Sequence, residues 1–148
     1  MKLLLALALA LSAYAQSPPK NWAACGRGFD GSRGSAACAL ALSLTPNVFS
    51  WTAYEIQATR VWPPSPTTST GIATTVGTFS LPRGAALKIL VLGTAGITQT
   101  PSSISAAFAG GGAASLVLRS HFSFTAVLRQ QTGASRGEKL DLLVGYSW

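Results

Sequence analysis

Glu138-Lys139-Leu140-Asp141-Leu142-Leu143-Val144-Gly145-Tyr146-Ser147-Trp148 ends the chain, and its alternation decides the fold class. In an extended strand successive side chains point to opposite faces, so Leu140, Leu142, Val144, Tyr146 and Trp148 share one face. Lys139, Asp141, Leu143, Gly145 and Ser147 share the other. The same beat recurs upstream. Leu116, Leu118, Phe122, Phe124, Ala126 and Leu128 oppose Arg119, His121, Ser123, Thr125 and Arg129, and Tyr54, Ile56, Ala58 and Trp62 oppose Glu55, Gln57 and Thr59. A period of two, in a chain rich in Thr, Ser, Val and Gly, predicts strands rather than helices.

The eight prolines fall between the apolar segments, where a residue without an N–H does not interrupt a ladder. The segments between breaks are 20–25, 36–44, 48–62, 71–81, 85–93, 103–109, 113–129 and 138–148. About eight strands suffice to close an antiparallel up-and-down barrel whose interior side chains just fill, leaving no open pore. Short turns at 45–47, 82–84 and Gly110-Gly111-Gly112 alternate with longer connections at 26–35, 63–70, 94–102 and 130–137. That alternation belongs to outer-membrane barrels. The closing aromatic, with another two residues before it, resembles the C-terminal signature that the outer-membrane assembly machinery reads. A soluble β-sandwich, serving as a secreted adhesin or a fibre or pilus-type subunit, is the alternative, with the polar face simply the wet one.

Charge sharpens the choice. Charged residues make up 10% of the chain, against about 25% in an average soluble domain, as expected if alternate side chains meet hydrocarbon. The polar faces then converge in a narrow lumen, where Glu55 and Asp141 need partners among Lys88, Arg119, Arg129 and Lys139, since a buried charge is tolerated only when paired. Arg60 opposes this scheme, because it shares the Tyr54 and Ile56 face; beside Trp62 it must snorkel to the interface or sit past a bulge.

The start of the chain predicts export. Lys2, the apolar run Leu3–Leu11 and the small-x-small site Ala13-Tyr14-Ala15 form a secretory signal over 1–15, cleaved before Gln16 and too short to span a bilayer as a helix. A single domain over 16–148 remains, and losing Lys2 lowers the net charge from +7 to +6. The basic residues are scattered without aromatic interleaving, so the charge suits lipopolysaccharide or another anionic surface polymer, not nucleic acid. The expected location is the outer membrane, or the medium or periplasm if the sandwich is right. In an exported chain Cys25 and Cys38 are expected to form one disulfide closing a Gly-rich loop. With one histidine and four carboxylates in the whole sequence, no metal site or cofactor is expected.

Two motifs carry a chemical suggestion. Gly26-Arg27-Gly28-Phe29-Asp30-Gly31 has the spacing of a dinucleotide fingerprint but lacks the following helix, so it reads as a loop bearing Arg27, Asp30 and Arg33. In His121-Phe122-Ser123 an imidazole and a hydroxyl lie two residues apart on a strand, with Glu138 opening the next one. From about Ala113 to Trp148 the sequence resembles the lipid A 3-O-deacylase family, eight-stranded outer-membrane esterases with a His-x-Ser pair on the penultimate strand. The resemblance implies Ser123 as nucleophile, His121 as general base and Glu138 as its orienting acid, cleaving a lipid acyl ester. Phe124-Thr125-Ala126 stands where that family has Asn-Ala-Gly, and strand parity places His121 and Ser123 on the polar face. The other reading of the pair is a member of the lumen's hydrogen-bond network.

Overall fold

The computed structural model describes residues 21–30, 33–45, 47–57, 65–118, 121–133 and 136–148. Eight strands follow one another: β1 (Trp22–Asp30), β2 (Arg33–Thr45), β3 (Val48–Gln57), β4 (Ser65–Ser80), β5 (Ala86–Gln99), β6 (Ile104–Val117), β7 (Phe122–Gly133) and β8 (Gly137–Ser147). Each pairs antiparallel with the next, and β1 pairs antiparallel with β8, so one sheet closes on itself as a barrel. Closure excludes the two-sheet sandwich. The seam is complete to its last residue: Asn21 and Trp148 exchange both backbone hydrogen bonds, at 2.9 and 3.0 Å.

The outer ends of β1 and β8 and the β2–β3, β4–β5 and β6–β7 connections share one end of the barrel, the terminal end; the other four connections form the opposite rim. The alternation in β8 has the expected sense. Val144 is 54% exposed and its neighbour Leu143 4%, so the Leu140, Leu142, Val144, Tyr146 and Trp148 face looks outward. Phe122, Phe124 and Leu128 of β7 and Tyr54 and Ile56 of β3 lie on the same outer surface. This surface forms an apolar belt. Strands of 9 to 16 residues exceed or match the roughly 9–11 that a tilted strand needs to cross a bilayer's hydrocarbon. Among the described residues no helix is long and apolar enough to cross a membrane, so strands alone provide the belt.

Inside, the narrow bore selects small side chains, with Ala24, Ala37, Ala39, Ala41, Ala53, Ala73, Ala107 and Ala113 all buried. Large ones are few and spaced. Trp22 and Trp51 pack with ring centroids 5.0 Å apart toward the terminal end, and Val127 and Leu143 are buried farther along the bore.

Several boundaries differ from the sequence expectation. Gly110-Gly111-Gly112 is not a turn but the middle of β6, and the expected seventh segment divides between the end of β6 and most of β7. The reason is tertiary. A Cβ on Gly111 would run into the carbonyl oxygen of Leu128 on β7, so the glycine is required by close backbone approach rather than by a bend. Similarly, Cys25 and Cys38 do form a disulfide, but they sit opposite each other in the β1–β2 ladder instead of closing a loop. β1 continues beyond it to Asp30 and β2 starts at Arg33, so the glycine-rich fingerprint is strand as far as Asp30. Residues 65–70, 94–99 and 130–133, expected in connections, belong to β4, β5 and β7. The proposed signal over 1–15, together with Arg60, Trp62 and Arg119, lies outside the described residues.

These glycines give a paired test. Gly111→Val is expected to destabilise the barrel by about 1–3 kcal/mol through overpacking against backbone and to reduce the heat-sensitive compact band on unboiled gels. Gly110→Ala, whose Cβ would meet nothing within 4 Å, should behave as the parent protein.

Candidate functional site

The strongest electrostatic feature is in the bore. Glu55 from β3, Arg129 from β7, and Lys139 and Asp141 from β8 are 3 to 4% exposed. Strand parity brings them together, since Glu55, Arg129 and Asp141 each occupy the inward face of their strands. The Arg129 guanidinium donates to both Glu55 and Asp141, bridging carboxylates from strands on opposite walls. Lys139 Nζ lies 3.6 Å from the second oxygen of Glu55. Two cations thus meet two anions, and the cluster is formally neutral. Arg129 and Lys139 are two of the four partners that the sequence proposed for these acids; Lys88 lines a different region, nearer the terminal end.

That region holds a cavity of about 70 Å³, walled by Trp22, Phe49, Trp51 and Leu90 with Lys88, Ser115, Thr125 and Ser147 as its polar groups. Toward the ion cluster only about 10 Å³ remains, between Trp51, Val127 and Arg129.

His121, Ser123 and Glu138 are not brought together. Ser123 is fully buried on the inner face, where its hydroxyl accepts a 2.6 Å hydrogen bond from the indole N–H of Trp22. His121 precedes β7 and has a positive φ of 69°, so strand parity does not extend to it. Its ring lies 5.9 Å from that of Tyr146, a side chain on the outer belt, while Ser123 points inward. The backbone of His121 acts structurally, because its carbonyl accepts from both the amide (2.9 Å) and the hydroxyl (3.1 Å) of Ser147. Glu138 is exposed near the opposite rim, paired in register with Gln130, seven residues up β7 from Ser123. At about 3.3 Å per residue that is roughly 23 Å of strand. The expected triad is therefore corrected on geometry: one group is turned outward, one is sealed in the bore and one is at the far end.

Sequence reasoning missed the partnership of Trp22 with Ser123 and Trp51, although the period-two spacing of Trp22, Ala24 and Gly28 marks the inward face of β1. It also missed that Arg27, treated as a loop residue, lies on the outward face of a strand.

Solved structures share this architecture. A de novo designed transmembrane β-barrel superposes with a TM-score of 0.59 at 12% identity, over 90% of this chain and 98% of that one. Neisserial surface protein A gives 0.56 at 10% identity over 86% and 93%. The Yersinia pestis outer membrane protein Ail, determined in a phospholipid bilayer nanodisc, gives 0.53 at 10% over 88% and 99%. At these identities the likeness is one of fold. No protein-family model matches the chain, and no curated protein matches it.

The cluster makes its own prediction. Arg129→Met leaves Glu55 and Asp141 without their common partner and is expected to cost about 3–5 kcal/mol, measured as a lowered urea midpoint of the barrel in micelles. Arg129→Lys, which keeps a charge but not the planar guanidinium whose Nη2 bridges the two carboxylates, should fall between that variant and the parent.

Proposed function

We propose that this chain is a small outer-membrane β-barrel with a structural or adhesive role at the cell surface. The observation that carries the reading is the closed sheet with an apolar outer belt and an ionised interior, an arrangement unsuited to water and suited to hydrocarbon. In this reading residues 1–15 direct export and are removed before Gln16, and the outward face of β8, ending on Tyr146 and Trp148, is what the assembly machinery engages. The net charge of +6 left after that cleavage favours contact with the phosphates of lipopolysaccharide or of another acidic surface polymer.

Cleavage of a lipid A acyl ester by Ser123, with His121 as base and Glu138 as orienting acid, receives no support from the arrangement of these groups. Ser123 is better read as the acceptor that satisfies a buried indole N–H.

Cell fractionation followed by gels of boiled and unboiled sample tests the main reading. The expected result is recovery with the outer membrane and a heat-dependent change in mobility; release as a soluble protein with one mobility would overturn it. Ser123→Ala separates the two roles of that residue. It is expected to leave cellular lipid A acylation unchanged in cells overproducing the protein, while costing about 1–3 kcal/mol of stability through the orphaned Trp22 donor. A lipid A lacking an acyl chain in cells making the parent, but not in cells making Ser123→Ala, would restore the esterase.

A further inference from the structure

We infer that the cavity at the terminal end of the bore is a binding site for a short aliphatic monocarboxylate of about four to six carbons. This site depends on closure of the barrel and goes beyond the role proposed above.

Register builds it. Lys88 of β5 pairs with Ser115 of β6, and Ser115 with Thr125 of β7, so these side chains form one row across three neighbouring strands and all line the cavity. Ser115 and Thr125 are 8% and 3% exposed and share a 2.8 Å hydrogen bond. One hydroxyl of that pair donates to the other, and the accepting hydroxyl keeps a hydrogen of its own to give. Lys88, half-buried at the head of the row, adds an ammonium. The wall across the cavity comes from β1 and β3 and consists of Trp22, Phe49 and Trp51. Trp22 donates its N–H to Ser123, which leaves its ring as the surface for a ligand. One wall therefore offers a cation and a hydroxyl donor, and the other offers aromatic carbon.

Charge, donor geometry and volume each narrow the occupant. Among the described residues lining the cavity there is no carboxylate and Lys88 is the ionised group, so a single negative charge balances the site. A phosphate monoester carries close to two charges at neutral pH and would leave one without a counterion. An ammonium and a hydroxyl side by side suit the two oxygens of one carboxylate, as charge-assisted hydrogen bonds. The tail then lies on the aromatic wall. The cavity of about 70 Å³ is about five times what one water needs, enough for a carboxylate and a few methylenes. An aromatic acid is too large, because a cavity that takes benzene measures about 150 Å³. Beyond Trp51 the space beside Val127 and Leu143 is about 10 Å³, room for one water at most, so a longer tail cannot extend along the bore there.

The test uses the mature protein in zwitterionic micelles with its tryptophans labelled with nitrogen-15, titrated separately with butyrate, hexanoate, decanoate and hexylammonium. The indole resonances of Trp22 and Trp51 report the cavity, and that of Trp148, on the outer belt, reports partition into the micelle. Hexanoate is expected to give saturable shifts at Trp22 and Trp51 with Trp148 unmoved, and hexylammonium to give none at the same concentrations. Affinity should rise about fourfold per methylene from butyrate to hexanoate and gain nothing further by decanoate. Lys88→Gln should weaken hexanoate about tenfold, and Lys88→Glu should transfer the saturable shift to hexylammonium, each variant being used once its unboiled compact band is seen. The comparison of hexanoate with hexylammonium in the parent decides the matter even where a variant does not fold. Equal responses to those two ligands, shifts at Trp148 that match those at Trp22, or hexanoate binding unchanged in Lys88→Gln would each overturn the assignment.

Discussion

Pairing of β1 with β8 is the constraint on which the rest of the molecule depends. A sheet in hydrocarbon has no water to satisfy an edge, so each unpaired N–H or carbonyl carries a cost of several kcal/mol. Closure removes both edges, and the exchange of hydrogen bonds between Asn21 and Trp148 carries the seam to the end of the chain. His121 contributes to the same end, since its carbonyl holds the amide and hydroxyl of Ser147 where β8 stops. It does so with a positive φ of 69° and with its ring 5.9 Å from that of Tyr146.

Closing with only eight strands makes the bore narrow, and the narrowness dictates the interior. Small alanines line much of the bore, and where Gly111 of β6 faces the carbonyl of Leu128 on the adjacent β7, no side chain fits. The remaining volume is divided between an aromatic layer at Trp22 and Trp51 and an ionic layer at Glu55, Arg129, Lys139 and Asp141. The ionic layer is tolerated because it is neutral in sum and because a single guanidinium serves two carboxylates. It also ties β3 to β7 and β8 across the bore, a connection that the ladder hydrogen bonds do not supply.

The legible part of the fold was the part governed by local periodicity. The alternation in β8 and β7 revealed which face of each looks outward, and from it came the need of Glu55 and Asp141 for cations among Lys88, Arg119, Arg129 and Lys139, of which Arg129 and Lys139 are the ones found beside them. What could not be read depended on neighbours distant in sequence. Three consecutive glycines look like a turn until β7 lies against them, and two cysteines separated by thirteen positions look like the neck of a loop until their strands are paired directly. The catalytic reading of His121 and Ser123 draws no support from the arrangement for a related reason. Spacing of two places side chains together only within a strand, and β7 begins at Phe122, between them.

The distribution of charge then becomes intelligible as one consequence of the environment. A chain with 10% charged residues has few to place, and the described ones avoid the middle of the outer belt. Glu55, Arg129, Lys139 and Asp141 are inside, mutually compensated; Arg83 is in the β4–β5 turn; Arg27 and Glu138 stand outward only where β1 and β8 approach the rim. A water-facing sheet would gain little from such economy, because an exposed ion costs it nothing. In a bilayer each outward charge must come within reach of the headgroup layer, and the Arg27 side chain is directed toward Gly34, nearer the rim. The apolar belt and the rim charges are therefore two readings of the same boundary, one drawn by the residues that avoid water and the other by those that seek it.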